Sequence, residues 1–257
     1  MAKPKPPIFF CHGMWADSRC FDRLSQWFEA RGHRCLAPTL PLHDITPDDP
    51  APDGLGDLPL TVYVDAMEGH LRRFDPDAVI VGHSMGGLIA QHLAARGLGR
   101  ALICLAPAPM AGAPAVLPEP SRALWSIATR WGFWNKPHKL DWQPARWAIF
   151  NNVPEEEARH WHQQYVWESG RVLAQIAFPA FDETQAARVN TKAIAQPTQI
   201  IVGDQDRITP RDFACYAHRK IRHSDYVELG EAGHWLIGEP WWQDAAATMA
   251  HFIARTA

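Results

Sequence analysis

The chain has 257 residues, 47% hydrophobic and 21% charged, which supplies a sizeable core and excludes a disordered or spacer protein. Twenty-five Lys and Arg against 28 Asp and Glu leave a formal charge of −3. No chain-wide attraction to nucleic acid or to an anionic membrane is expected, and the expected partner is a small molecule.

The start, Met1 to Pro7, is basic, but the apolar run Ile8 to Cys11 is too short for a signal sequence and enters His12-Gly13 directly. Five cysteines (Cys11, Cys20, Cys35, Cys104, Cys215) include no C-x-x-C pair, which argues against zinc or dithiol chemistry and for a reducing, cytoplasmic location. Pro7 to Cys11 reads as the first strand. Cys20 to Arg31 places Phe21, Leu24, Trp27 and Phe28 at helical spacing, with Gly32 as the stop. His33 to Ala37 is the next strand, and the proline-rich stretch from Pro38 to Pro59 reads as a long surface loop. A helix resumes near Leu60.

Asp77 to Val81 is a short buried strand and Ser84 to Ala95 a helix, with Gly82-His-Ser-Met-Gly86 between them. Ala101 to Leu105 is another strand. The uncharged stretch Ala101 to Pro118 has the length of a membrane span, but Pro107, Pro109, Pro114 and Pro118 forbid a continuous helix. From about Met110 to Asn190 the alternation stops; the segment reads as mainly helical and carries seven of the twelve tryptophans, with eight basic and eight acidic residues. Strands return at Thr198 to Val202 and Asp225 to Leu229, and a helix from about Trp241 to Ala254 closes the chain. The expected fold is therefore α/β: a mostly parallel central sheet flanked by helices, residues 1–109 and 191–257 forming the core and 110–190 an inserted helical cap.

Gly82-x-Ser84-x-Gly86 is weak as a pattern alone. Its position between a strand and a helix gives it weight, because there a serine occupies a tight turn with its hydroxyl pushed clear of the backbone. A hydroxyl is a poor nucleophile, so it needs a base, and the base a carboxylate. Asp206 follows the strand Thr198 to Val202, and His234 follows the strand ending at Leu229, in the chain order Ser, Asp, His. Asp204 is a nearby alternative for the acid; His218, His223 and His251 are alternatives for the base, but only His234 sits in a glycine-flanked loop after the last strand. An acyl-transfer oxyanion needs two donors, which Met85 N–H and Met14 N–H can supply. His83, beside the serine, reads as a packing or hydrogen-bonding residue, not a second base. The expected substrate contacts are Trp15, His83, Trp134, Trp161 and Trp235, although tryptophans in such a segment often only fill its core.

With Cys11-His-Gly-Met-Trp15, Gly82-His-Ser-Met-Gly-Gly87, Gly203-Asp-Gln-Asp206 and Gly233-His234, the chain resembles the α/β-hydrolase superfamily over nearly its whole length. Within it the likeness is to small capped esterases, the group of the pimeloyl methyl ester and plant methyl esterases. The resemblance implies Ser84 as nucleophile, His234 as base, Asp206 as its orienter, Met14 and Met85 as oxyanion donors, and a carboxylic ester as substrate, with no metal or organic cofactor. The chain departs from the family after the second strand, where Thr39 to Asp44 and a proline-rich loop replace Asp-x-x-Gly-x-Gly; this bears on the pocket entrance. Two rivals share the fold: cofactor-free dioxygenases, which use the His–Asp pair as a base on an aromatic heterocycle, and small-ligand receptors that turn over slowly or never. Dehalogenases and epoxide hydrolases of this kind place Asp where Ser84 stands, and hydroxynitrile lyases usually have Lys where Trp235 follows the base.

Overall fold

The structure is a computed structural model that describes residues 4–114, 117–238 and 240–256. Six strands form one fully parallel sheet in the order β2-β1-β3-β4-β5-β6: β1 (Ile8–Cys11), β2 (Cys35–Leu36), β3 (Val79–His83), β4 (Ala101–Leu105), β5 (Thr198–Gly203) and β6 (Ser224–Leu229). The strand period of two explains why both faces are apolar. Ile8 and Phe10 point to one side with Val79, Val81, Ile103 and Ile201, and Phe9 and Cys11 to the other with Ile80, Leu102, Cys104 and Ile200.

The helices α1 (Asp22–Glu29) and α9 (Trp242–Thr256) cover the first face, through Leu24, Phe28, Met249 and Phe252. The second is covered by α2 (Leu60–Phe74), α3 (Met85–Ala95) and α8 (Arg211–Lys220), through Tyr63, Met67, Leu88 and Ala214. Burying one such Phe or Leu contributes about 1.5–3 kcal/mol. Helix α8 differs from the sequence reading, which assigns no element there; its inward stripe is only Phe213, Ala214 and Ala217. Strand β2 is shorter than its apolar run because it is an edge strand that pairs only at Ile8↔Cys35 and Phe9↔Leu36. Among the described residues, no helix is long and apolar enough to cross a membrane.

Between β4 and β5 the chain contributes no strand to the sheet among the described residues. It forms α4 (Pro118–Ala128), α5 (Trp142–Ala148), α6 (Glu155–Gln163) and α7 (Gly170–Ala177), with one antiparallel bridge between His138 and Glu168. A buried carboxylate fastens this segment to the sheet layers. Glu168 Oε1 accepts from Tyr63 Oη of α2 at 2.8 Å and from Ser169 N at 2.6 Å, and Oε2 lies 3.2 Å from His43 Nε2. His43 comes from the proline-rich stretch. That stretch is therefore not simply a surface loop: Leu40, His43 and Leu55 are buried, Leu40 within the core on the second face of the sheet.

Burial pulls the His43 imidazolium toward neutrality, but the charge and hydrogen bond of Glu168 outweigh it and leave the histidine above its ordinary 6.5. Burial likewise pushes Glu168 up, and His43, Ser169 N–H and Tyr63 Oη outweigh it, holding the carboxylate below its ordinary 4.5. The raised His43 contributes stability fully present below pH 6.5 and lost as pH rises through its folded value; the lowered Glu168 contributes stability present above pH 4.5 and lost as pH falls through its own. The pair thus contributes most between those limits. Glu168→Gln should cost about 3–5 kcal/mol there, as expected for breaking a buried pair. The gap in Tm between wild type and variant, followed by thermal denaturation, should be widest between pH 4.5 and 6.5 and narrow as pH rises through the raised folded value of His43.

Candidate active site

All the chemistry-bearing loops leave the C-terminal ends of parallel strands, so the sheet gathers them on one edge. Ser84 joins β3 to α3 with φ 56° and ψ −124°, a conformation that costs a side-chain-bearing residue of order 1–3 kcal/mol. Its surroundings fix it there. Ser84 N donates to Leu105 O, and Ser84 O accepts from Gly87 N and Ala108 N, each at 2.9 Å. A Cβ at Gly82 would lie 2.1 Å from Gly86 O, and one at Gly86 would lie 2.0 Å from Cys11 O. Only glycine lets the turn close on itself and against β1.

Asp206, after β5, and His234, after β6, are both buried and meet at 2.8 Å between Asp206 Oδ2 and His234 Nδ1. Asp206 Oδ1 also accepts from Ile208 N at 2.9 Å and Thr209 N at 2.8 Å. The Thr209 hydroxyl lies 2.8 Å from Asp206 Oδ2, 2.9 Å from Ala106 O and 3.0 Å from His234 Nδ1. Burial pushes the Asp206 carboxyl up, but His234 and the Thr209 donors outweigh it and hold it below the ordinary carboxylate value. An ionised Asp206 requires the proton on Nδ1, which leaves Nε2 as the ring's free base. Asp204 is exposed and makes no such contact, and His218 is occupied with Ser224.

His83 Nε2 donates to His234 O at 2.9 Å, and the two rings are 4.7 Å apart. Burial, with His234 beside it, pulls His83 down to about 3. It stays neutral and holds the base loop against the turn.

Met14 and Met85 flank the same space. Among the described residues no acceptor takes either backbone N–H. The Gly13 carbonyl faces His12 Nδ1 at 2.9 Å, while His12 Nε2 accepts from Leu40 N at 3.0 Å. The Leu40 bond assigns the tautomer: Nδ1 carries the proton and donates to Gly13 O. Since carbonyl and N–H point opposite ways across a trans peptide, pinning Gly13 O turns Met14 N–H the other way. Burial, with His43 nearby, pulls His12 down to about 4, so the neutral form required here is the stable one.

Trp15 follows with φ 60°. Its Nε1 donates to His138 Nδ1 at 3.2 Å, its carbonyl accepts from Val166 N at 2.9 Å, and its ring stacks on Tyr165 at 6.0 Å. The inserted segment therefore grips the loop that carries Met14.

These groups open on a cavity of about 290 Å³. Among the described residues its walls carry no charged side chain; apart from Ser84, His83 and His234, the polar side chains are Ser121, Thr209, Trp15, Trp125, Tyr165 and Trp235. Leu124, Ile149, Leu173, Ile176 and Phe213 supply much of the apolar surface. Of the expected substrate contacts, Trp15, His83 and Trp235 line it. The other two lie elsewhere. Trp134 is half exposed and lines a separate groove, and Trp161 packs against Trp235 at 5.5 Å with its Nε1 on Glu157, outside the lining. Trp125 is in the wall instead. Sequence reasoning missed Thr209, His12 and His138. Thr209 stands three residues after Asp206, where a hydroxyl and its own N–H can reach back to the carboxylate, a local signal of the Asx-turn kind. His138 is 123 residues from Trp15 and has no such signal.

Comparison with known proteins follows the same outline. The model of the alpha/beta hydrolase family matches residues 8–248. The AB hydrolase superfamily protein YisY of Bacillus subtilis is 27% identical over 245 residues, covering 89% of this chain and 84% of its own. Solved structures share the fold at lower identity. A monoacylglycerol lipase from Paleococcus ferrophilus superposes with TM-score 0.73 at 16% identity, over 100% of this chain and 98% of its own. The methylesterase MES16 from Arabidopsis gives 0.72 at 15%, over 97% and 99%. With the match running from β1 into α9, the chain belongs to the alpha/beta hydrolase family.

Proposed function

We propose that the protein is a serine carboxylesterase whose substrate carries an uncharged apolar acyl or aryl group. The observation that carries the reading is His234, paired with the buried Asp206, lining the same cavity, with no charged side chain among its described walls, as a serine held at φ 56°. Relatives in the fold bearing the names lipase, methylesterase and pyrethroid hydrolase are consistent with it.

In this mechanism Ser84 Oγ attacks the ester carbonyl and passes its proton to His234 Nε2. The carbonyl oxygen becomes an oxyanion between Met14 N–H and Met85 N–H, neither of which has an acceptor among the described residues. Asp206 stabilises the imidazolium, which returns the proton to the departing alcohol; water then repeats the sequence on the acyl-enzyme. His83 acts on the base loop and not on the proton. Residues 110–190 serve as a cap that supplies apolar walls and shields the reaction from bulk water. Five unpaired cysteines support a cytoplasmic location. A second reading, His–Asp base chemistry on a flat aromatic substrate, is favoured by one observation only, the aromatic walls Trp15, Trp125, Tyr165 and Trp235.

The test is turnover of a p-nitrophenyl and aryl ester panel by wild type and Ser84→Ala, with fluorophosphonate labelling. Labelling on Ser84 and a loss of about 10⁴-fold or more in kcat/KM are expected; a modest loss with intact Asp206 and His234 favours base chemistry. A separate outcome concerns the grip on the oxyanion loop. Trp15→Phe keeps an aromatic ring, smaller than the indole, but removes the N–H given to His138. It should lower kcat by about ten-fold, less than deletion of an oxyanion donor, with KM near wild type. His138→Gln, which keeps an acceptor, should retain more activity than His138→Ala, and comparable Tm values would separate positioning from folding.

A further inference from the structure

Five of the seven large hydrophobic side chains exposed among the described residues belong to the inserted segment; the others are Leu42 and Val62. Trp131 is 85% exposed, Phe181 87%, Trp125 67%, Trp134 42% and Phe178 41%. They are connected. Trp131 meets Trp134 edge-on at 5.2 Å, Trp134 meets Phe133 at 5.6 Å, and Phe133 meets Phe178 at 6.0 Å. Phe178, Phe133 and Trp125 also line the catalytic cavity, while Trp134, Phe178 and Phe181 line the adjoining groove. The patch is thus continuous from open solvent to the wall around Ser84. Single exposed apolar residues are ordinary; a contiguous aromatic patch marks an interaction surface.

The charge beside it is local, and the net −3 of the chain conceals it. From residue 120 to 140 the sequence holds Arg122, Arg130, Lys136 and Lys139 and no Asp or Glu. Arg122, Arg130 and Lys136 are exposed, and Lys136 Nζ donates to Trp131 O at 3.0 Å. Lys139 lies over the Trp167 ring instead. The acidic neighbours are Glu119, exposed in the first turn of α4 and three residues before Arg122, Asp141, 3.8 Å from Arg130, and Asp57, Asp182 and Glu183 in the groove, where both Asp182 oxygens accept from Thr184 and Ala186. Tryptophan interleaved with cations is the composition that settles at the headgroup level of a lipid surface. A folded protein seated here would cover the aromatic side chains that run into the cavity; a fluid lipid surface would not close it.

We propose that the rim formed by Trp125, Trp131, Trp134, Phe178 and Phe181 docks the protein on an anionic lipid surface, so that an apolar ester passes from lipid to cavity. Docking is independent of the esterase reading; only the delivery of substrate rests on it.

The test is sedimentation of the full-length protein with phosphatidylcholine vesicles containing phosphatidylglycerol, followed also by tryptophan emission. Wild type should bind with a blue shift, less with added salt and less to phosphatidylcholine alone. Trp131→Ser with Phe181→Ser, neither of which lines the catalytic cavity, should weaken partitioning by about ten-fold or more, and Arg130→Glu with Lys136→Glu should weaken it similarly. Both variants should hydrolyse a dissolved short-chain ester like wild type. Ser84→Ala should bind vesicles normally, so failure of the esterase reading leaves this result intact. Absent vesicle binding, equal binding by the rim variants, or self-association abolished by the same substitutions without vesicle binding would each overturn the proposal.

Discussion

The approach of the Gly82–Gly87 turn to the end of β1 is the contact on which the rest of the site depends. A Cβ at Gly86 would stand 2.0 Å from the Cys11 carbonyl oxygen, and one at Gly13 would stand 2.9 Å from Ser84 Cβ. Two backbones touch where two parallel strands end, and that fixes the distance from the serine to the loop carrying Met14. The strained φ of Ser84 persists because hydrogen bonds from Gly87, Ala108 and to Leu105 surround it. Rigid geometry here comes from the sheet, not from the loops.

A second layer of control comes from farther along the chain. Glu168 reaches Tyr63 and His43, while its backbone pairs with His138, whose ring accepts from Trp15. Glu168, through its carboxylate and its backbone, therefore connects helix α2, the proline-rich stretch, the inserted segment and the loop carrying Met14. Such a network is costly when half satisfied and specifying when complete. It makes the docking of the inserted segment and the shape of the site a single property.

Much of this was legible in the sequence, and the boundary has a physical cause. Strands β3, β4 and β5 are short apolar runs, and Ser84, Asp206 and His234 each follow a strand close to a glycine, Gly82, Gly203 and Gly233; period and punctuation are local signals. Motif position favours Asp206 over Asp204, which occupies the same loop, while the burial and the Thr209 bonds that set Asp206 apart are visible only in the fold. The tryptophans carry no directional signal at all. Trp134 and Trp161 differ from Trp125 only in which way packing turned them. The inward turn of Leu40 and His43 was hidden for the same reason: prolines mark a non-repetitive backbone but say nothing of which side chains it buries.

In the proposed ester hydrolysis, the absence of charge on the cavity walls bears on the product as well as on the substrate. Ester cleavage turns a neutral group into an acid that ionises near neutral pH, and an unpaired carboxylate in an apolar space costs several kcal/mol. No Lys or Arg among the described wall residues compensates it. On the proposed esterase reading, such an acid is disfavoured in the environment that takes up its ester, which would favour product release and keep inhibition by accumulated product weak.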